Sequence, residues 1–338
     1  MGNMDHHSSR SFTARLALLT AGVLLAVAAP ASAKKDKDPD GMISEIRDDR
    51  IQESSGLALS TQHDDLVYTM NDEGGSGANI YAVQVSTGNV VGATDISSLP
   101  IEDPESIAVD ANGTLWLGDL GDNDHVRDDT AIYAFPEPGP GNGKASGVKR
   151  YAVRLPGGSV DAEGLLVHPS NGQVFVVTKD QGGGRIYELT NLKSGATAQA
   201  REVGEAPELV TDATFTNSGQ WALLRTEKEL YLYDPTTWQP VGEADAPKLE
   251  QGESVTVERG DQTVLLGSEG KKSPLVRIAL PAASGSVSID NGGNDGSDGD
   301  DDDNGSTVRN SLELAIPLGL VAAAMLVGGI IAQRRLKI

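Results

Sequence analysis

Acidic side chains recur at matching places along the chain, one before each of five short apolar segments. They are Glu53, Glu105, Glu163, Asp212 (displaced by one residue) and Glu253. Other acids follow a second set of apolar segments: Asp72, Asp119, Asp122, Asp180, Glu227 and Glu269. Carboxylate oxygens without thiols, and with hardly any imidazoles, favour Ca²⁺ or Mg²⁺ over zinc. The alternative is that each glutamate caps a strand in a structural ring that binds no ligand.

A subset of these residues forms the candidate site. The predicted metal ligands are Glu105, Asp119, Asp122, Glu163, Asp180 and Glu253, with Ca²⁺ as the ion. Asp72, Arg127, Lys179 and Arg225 are predicted to bind a ligand at the same opening, where basic side chains would relieve repulsion among the acids. No catalytic residue is assigned, because His125, which lies among these acids, is most simply an exposed loop histidine.

The apolar segments belong to a repeat of three short strands, with a weaker fourth in places. Its units begin at Gly56, Ser106, Gly164, Ala213 and Ser254, between 41 and 58 residues apart. Four-stranded units with a period of about 40–50 residues are typical of β-propeller blades. We therefore predict an all-β propeller over residues 42–284 with five blades, or six if two units have been merged.

Two further segments bear on the propeller. Residues 42–46 are predicted to complete the last blade, since closure of the ring removes an exposed sheet edge. The Pro/Gly-rich segment 136–147 is predicted to be a long loop of the second blade. In a propeller, residues before the first strand and after the second strand lie on one face. The two series of acids should therefore meet at one mouth of the central channel.

Composition excludes several classes of function. The chain has 338 residues, no cysteine and a formal net charge of −22. Without cysteine there are no disulfides, thiolate metal sites or cysteine nucleophiles. The excess of acids argues against a basic surface for nucleic acid, so no nucleic-acid partner is predicted.

Both ends of the chain carry targeting patterns. Residues 1–33 combine arginines, a short apolar run and Ala31-Ser32-Ala33, which is typical of a cleavable signal peptide; an uncleaved anchor is the alternative. Residues 312–333 are predicted to cross the membrane as a helix, with the basic tail 334–338 in the cytoplasm. A charged leader (34–41) and a disordered acidic stalk (285–311) would flank the propeller. The propeller is thus expected at the cell surface.

Parts of two blades resemble a known family. Asp161-Ala162-Glu163-Gly164-Leu165-Leu166-Val167, continuing through Phe175 to Asp180 and on to Ile186-Tyr187, is similar to one blade of the calcium-dependent β-propeller phytases. Glu105–Val109 and Gly118–Asn123 resemble exported phytase-like (esterase-like) propeller proteins. The resemblance implies that Glu163 and Asp180 bind calcium ions, which in the phytases gather the phosphates of the substrate.

Three functions follow from these observations. The first is a surface-anchored module that binds an extracellular ligand or protein at the acidic mouth, together with Ca²⁺. The second is a calcium-dependent hydrolase of phosphoesters or other anionic substrates. The third is an anchored structural protein without a ligand. An anionic substrate would be repelled by the acids unless basic groups share the mouth, so the overall charge favours the first function.

Overall fold

The computed structural model describes residues 38–285, 287 and 289. This part of the chain is all-β: it contains twenty-one strands and no helix, and so no helix that could cross a membrane. The predicted signal peptide, transmembrane helix and basic tail lie outside the described residues. So do most of the predicted stalk and the first four residues of the predicted leader.

The strands alternate with short turns along the whole described region. In chain order the first ten are β1 (Met42–Ile46), β2 (Ser54–Leu59), β3 (Leu66–Asn71), β4 (Asn79–Gln84), β5 (Val90–Asp95), β6 (Pro104–Val109), β7 (Thr114–Asp119), β8 (Ala131–Pro136), β9 (Gly141–Lys144) and β10 (Lys149–Ala152). The remaining strands are β11 (Ala162–Val167), β12 (Val174–Thr178), β13 (Arg185–Thr190), β14 (Gln199–Glu205), β15 (Asp212–Phe215), β16 (Ala222–Arg225), β17 (Glu229–Asp234), β18 (Gln239–Asp245), β19 (Gly252–Val257), β20 (Thr263–Ser268) and β21 (Ser273–Ala279).

These strands form five sheets, which are the blades of a five-bladed propeller. Blade 1 has the order β2-β3-β4-β5-β9, blade 2 has β6-β7-β8-β10, blade 3 has β11-β12-β13-β14, blade 4 has β15-β16-β17-β18, and blade 5 has β19-β20-β21-β1. Each inner strand contacts the inner strands of both neighbouring blades, from β2 through β6, β11, β15 and β19 back to β2. The structure therefore has five blades and not six. In blade 5, the outermost strand is β1, which pairs antiparallel with β21.

The hydrophobic core consists of five clusters, and each cluster lies between two adjacent blades. Tyr68 and Tyr133, for example, belong to the cluster between blades 1 and 2. Ile46 and Leu57 belong to the one between blades 5 and 1. Both faces of a blade are thus buried, which explains why the inner and middle strands are continuous apolar runs that sequence alone could locate.

The predicted loop 136–147 contains a strand that the sequence did not reveal. β9 leaves blade 2 and pairs in parallel with β5 at the outer edge of blade 1, with Gly92 opposite Gly141. The pairing depends on glycine, because a β-carbon on Gly92 would lie 2.5 Å from the carbonyl oxygen of Gly141. Its residues are two glycines, an asparagine and a lysine, all exposed, and such a segment carries no strand signal.

We predict that Gly92→Ala will detach β9 from blade 1, because the added methyl group and the Gly141 carbonyl oxygen occupy the same space. The free energy of unfolding should fall by about 1–2 kcal/mol, and the amides of residues 141–144 should lose protection in hydrogen exchange. Gly143→Ala is the matched control, since a β-carbon at Gly143 meets nothing within 4 Å. Equal protection in the two variants would contradict this account.

Candidate functional site

The inner strands bring one residue per blade to the same end of the central channel. In each blade the position lies five residues before the residue whose amide closes the turn after the inner strand. The residues at this position are all buried: Ser55, Glu105, Glu163, Thr211 and Glu253. Around Glu105, Glu163 and Glu253 the strand pairing contains a β-bulge. A bulge breaks the two-residue alternation of side chains and re-aims the residue at that point. The predicted convergence of these glutamates at one mouth therefore has a backbone cause.

The expected acids of the other two blades lie elsewhere. Glu53 is two residues before the equivalent position in blade 1, which Ser55 occupies, and its side chain is exposed. In blade 4 the equivalent position is Thr211, just before β15 begins, and the acid is the next residue, Asp212. Of the five acids in the predicted series, three therefore occupy equivalent positions.

Each buried glutamate of the mouth has a protein partner. The hydroxyl of Ser55 donates to Oε2 of Glu105 at 2.9 Å. Nζ of Lys179 donates to Oε1 of Glu163 at 2.5 Å. Glu253 has a side-chain hydrogen bond with Gln251, and the positive charge of Lys179 stabilises its ionised carboxylate. One lysine thus serves two of the three glutamates.

Further acids surround these glutamates at the mouth. Asp103 and Asp161 precede Glu105 and Glu163 by two residues, and Asp72 and Glu269 follow the second strands of blades 1 and 5. Oδ1 of Asp72 is buried without a hydrogen-bond partner among the described residues. The sequence pattern predicts Asp72, but neither Asp103 nor Asp161, as a residue of the site. The Asp-x-Glu spacing shared by blades 2 and 3 is the signal that could have identified them.

Burial and mutual repulsion make these acids hard to ionise. Burial, together with the charges of Glu163 and Asp103, raises the pKa of Glu105 to about 9. Burial raises the pKa of Glu163 to about 8, although Lys179 opposes the shift. Burial and neighbouring carboxylates raise the pKa of Asp72 to about 6 and that of Glu269 to about 7. At neutral pH the mouth thus retains protons that a bound cation could replace.

Asp212 and Arg225 lie in the interior of the propeller. Oδ2 of Asp212 accepts hydrogen bonds from the backbone amides of Val255 (2.7 Å) and Leu57 (3.4 Å), and so links blade 4 to blades 5 and 1. Arg225 is fully buried, and its Nη1 donates to the carbonyl oxygens of Ser254 and Gly267 (2.8 Å to the latter). Burial lowers the pKa of Arg225 to about 10. Arg225 thus bonds the backbone of blade 5, and its binding of a ligand stays a prediction.

Asp119, at the end of β7, forms a network beside the mouth with Asp122 and Arg127 of the following loop. Arg127 binds Asp119 through Nη2 at 3.0 Å, and Asp119 also accepts the backbone amide of Asp103 at 2.9 Å. Asp122 accepts the backbone amides of Val126 and Arg127. These bonds shape the loop and occupy the guanidinium and most carboxylate oxygens; Oδ2 of Asp119 lacks a hydrogen-bond partner among the described residues.

The remaining predicted ligand, Asp180, is exposed, and its carboxylate accepts the backbone amide of Gly182 at 2.9 Å. Within residues 38–285, 287 and 289, no three acidic or histidine side chains are grouped closely enough to hold a metal ion in the present arrangement. The structure thus brings together Glu105, Glu163 and Glu253 with Asp72 and Lys179 at one mouth. It places Asp119, Asp122 and Arg127 in the neighbouring loop network.

Comparisons with known proteins give structural neighbours alone. No protein-family model matches the sequence, and no curated protein gives a significant match. A gluconolactonase of Xanthomonas campestris aligns with 73% of this chain and 96% of its own at 14% identity, with a TM-score of 0.42. A glutaminyl cyclase of Myxococcus xanthus aligns with 71% of this chain and 96% of its own at 13% identity, with a TM-score of 0.47. The β-propeller domain of Cps50 (Swd1) from Myceliophteria thermophila covers 66% of this chain and 64% of its own at 13% identity, with a TM-score of 0.39. These values carry no inference about function, and the assignment of the fold rests on the strand pairing.

Removal of the Asp212 carboxylate should loosen the ring. In Asp212→Ala the buried amides of Val255 and Leu57 lose their acceptor, so we expect the free energy of unfolding to fall by about 2–3 kcal/mol. Chemical denaturation measures this loss. Asp124→Ala, at an exposed acid of the loop after β7, is the control and should change stability by less than about 0.5 kcal/mol.

The raised pKa values of the mouth predict a fall in stability with rising pH. Neutral carboxyls are favoured in the folded state, so their stabilising contribution is complete below the ordinary pKa of about 4.5. It is lost as the pH passes through the folded-state values, from about 6 for Asp72 to about 9 for Glu105. Without added cations, the free energy of unfolding should therefore be lower at pH 9 than at pH 6, by more than about 3 kcal/mol, since Glu105 alone loses that much over this range.

Glu105→Gln tests the cause of this pH dependence, because glutamine resembles the protonated acid and keeps an acceptor for Ser55. The variant should be more stable than the unchanged protein at pH 9 and should show a flatter profile in denaturation between pH 6 and 9. Glu243→Gln, on the exposed side of β18, should leave the profile unaltered. If the free energy of unfolding of Glu105→Gln falls with pH in parallel with that of the unchanged protein, Glu105 is not the cause of the pH dependence.

Proposed function

We propose that the protein is a binding module whose acidic mouth takes up a divalent cation, Ca²⁺. The observation that carries this proposal is the burial of Glu105, Glu163 and Glu253 at one opening, where Lys179 supplies positive charge to Glu163 and Glu253. Their exposed fractions are 7%, 3% and 7%. Buried carboxylates that lack compensating charge are costly when ionised, and a doubly charged ion offsets that cost.

The chemistry of the donors matches a hard cation. The mouth offers oxygen atoms from glutamate, aspartate and the hydroxyl of Ser55, which suit Ca²⁺ and Mg²⁺ better than transition metals. Because no three acids of the described residues are grouped closely enough for an ion in the present arrangement, uptake of the ion requires Glu105 and Glu163 to turn away from Ser55 and Lys179. It also requires them to lose protons, so binding of the ion should be coupled to pH.

The proposed setting is the outside of the cell. The predicted signal peptide, acidic stalk and C-terminal apolar segment support an export route and a single membrane anchor. In that setting the mouth would meet extracellular Ca²⁺ and any ligand or partner protein that the ion helps to bind.

The alternative predicted from sequence is a phytase-like hydrolase of phosphoesters. It needs basic side chains free to receive an anionic substrate beside the acids. Arg127 is bound to Asp119, Arg225 is fully buried, and Lys179 is paired with Glu163. The described mouth is thus better suited to a cation than to a phosphate, and the binding function is the one we put forward.

Thermal unfolding of the purified full-length chain tests cation uptake. At pH 7.5 the midpoint of unfolding should rise with millimolar CaCl₂, because an ion that binds the folded state alone stabilises it. In weakly buffered solution the addition of Ca²⁺ should also release protons. Glu105→Gln and Glu253→Gln should each reduce the rise in midpoint by more than half, and Glu243→Gln should retain it.

Salt controls distinguish specific uptake of a divalent cation from a general effect of ionic strength on stability. NaCl at equal ionic strength should leave the midpoint within one degree or so, a shift well below that expected from specific binding. If CaCl₂ and MgCl₂ fail to raise the midpoint above that salt control, the proposal of a divalent cation is wrong, and the acids of the mouth are a structural ring.

A further inference from the structure

A cavity beside the acidic mouth, at the junction of blades 3 and 4, has the size and lining of a small-molecule site. Its volume is 340 Å³, within the range of about 300–1,000 Å³ common for ligand pockets. Leu209, Pro207 and Tyr231 supply apolar surface, whereas Lys179, Thr211 and Glu227 supply polar groups. We call this cavity the side pocket.

Backbone hydrogen bonds hold the wall of the side pocket in place. The segment from Ala206 to Thr211 connects β14 to β15. The amide of Leu209 donates to the carbonyl of Asp180 at 3.1 Å, and the amide of Thr211 donates to the carbonyl of Arg225 at 2.8 Å. The amide of Ala206 donates to the carbonyl of Gly184 at 2.9 Å. The pocket is thus formed before any ligand arrives, which reduces the entropy lost on binding.

Two features of this wall point to a ligand. Thr211 is 2% exposed and lines the pocket, and its Oγ1 has no hydrogen-bond partner among the described residues. A buried hydroxyl without a partner is costly, and a ligand atom would satisfy it. Leu209 is 41% exposed and has a φ of 52°, a backbone conformation that is strained for a leucine. Leu209 thus keeps an apolar side chain at the pocket in spite of a strained backbone and partial exposure to solvent.

The charge of the surroundings selects the class of ligand. The lining of the pocket holds three acids, Glu208, Glu227 and Glu229, and two lysines, Lys228 and Lys179, of which Lys179 is already paired with Glu163 at 2.5 Å. The acidic mouth lies next to it, so the local field attracts positive charge. We propose that the side pocket binds an organic cation: a primary amine whose apolar body packs against Leu209 and Tyr231 and whose ammonium group faces Thr211 and Glu227.

This proposal can be tested apart from uptake of Ca²⁺, because the pocket is defined by Thr211 and Leu209, and the acidic mouth enters the argument through its field alone. Either proposal can fail alone. Glu105→Gln should weaken stabilisation by Ca²⁺ and leave affinity for an amine within twofold.

Isothermal titration of the full-length chain with 2-phenylethylamine, at pH 7 and without divalent cations, tests the side pocket. The neutral 2-phenylethanol and the anionic 3-phenylpropionate are matched probes of the same size. The amine should bind at least tenfold more tightly than either probe. Glu227→Gln should reduce this preference for the amine and leave the affinity for 2-phenylethanol unchanged.

Two variants of the wall keep the test independent of folding. Thr211→Val removes the hydroxyl at constant shape, and Leu209→Gly removes the side chain and relieves the strained φ. Both should fold with unaltered or higher thermal midpoints, yet weaken amine binding by about threefold and tenfold, respectively. Val126→Ala, at another exposed apolar residue, should bind as the unchanged protein does. Equal affinity for the three probes, no binding of the amine, or full affinity in Leu209→Gly would each overturn the proposal.

Discussion

Ionised carboxylates are costly in a dry environment, and that cost dominates the mouth of this propeller. Three glutamates from three blades are turned toward one opening by the same backbone device, a β-bulge at the start of the inner strand. Ser55 and Lys179 satisfy part of their hydrogen-bonding capacity. Protons retained near neutral pH meet the rest, and the proposed uptake of a cation would release them.

The ring itself supplies the dry environment. Each junction between blades contains its own hydrophobic cluster, so no blade has a free face. Asp212 adds a polar link through the amides of Val255 and Leu57. Since the mouth residues sit at the end of strands packed in this way, the positions of their backbones are set by the core and not by the loops.

Much of the fold could be predicted, because inner and middle strands buried on both sides are apolar runs of regular spacing. The outer strands β5, β14 and β18 escaped notice, since exposed strands such as β14 alternate polar residues without a clear apolar face. At the site, Glu105, Glu163 and Glu253 could be found from their recurrence. Thr211 and Leu209 could not, because an unpartnered hydroxyl and a positive φ are properties of packing and backbone that carry no compositional signal.

The strand β9 gives the molecule an asymmetry that its repeat conceals. By leaving blade 2 and pairing with β5, it joins the outer edges of blades 1 and 2 through backbone hydrogen bonds as well as side-chain packing. We therefore expect blades 1 and 2 to open together in local unfolding. A force applied along the chain would have to break the pairing of β9 with β5 before the two blades could separate.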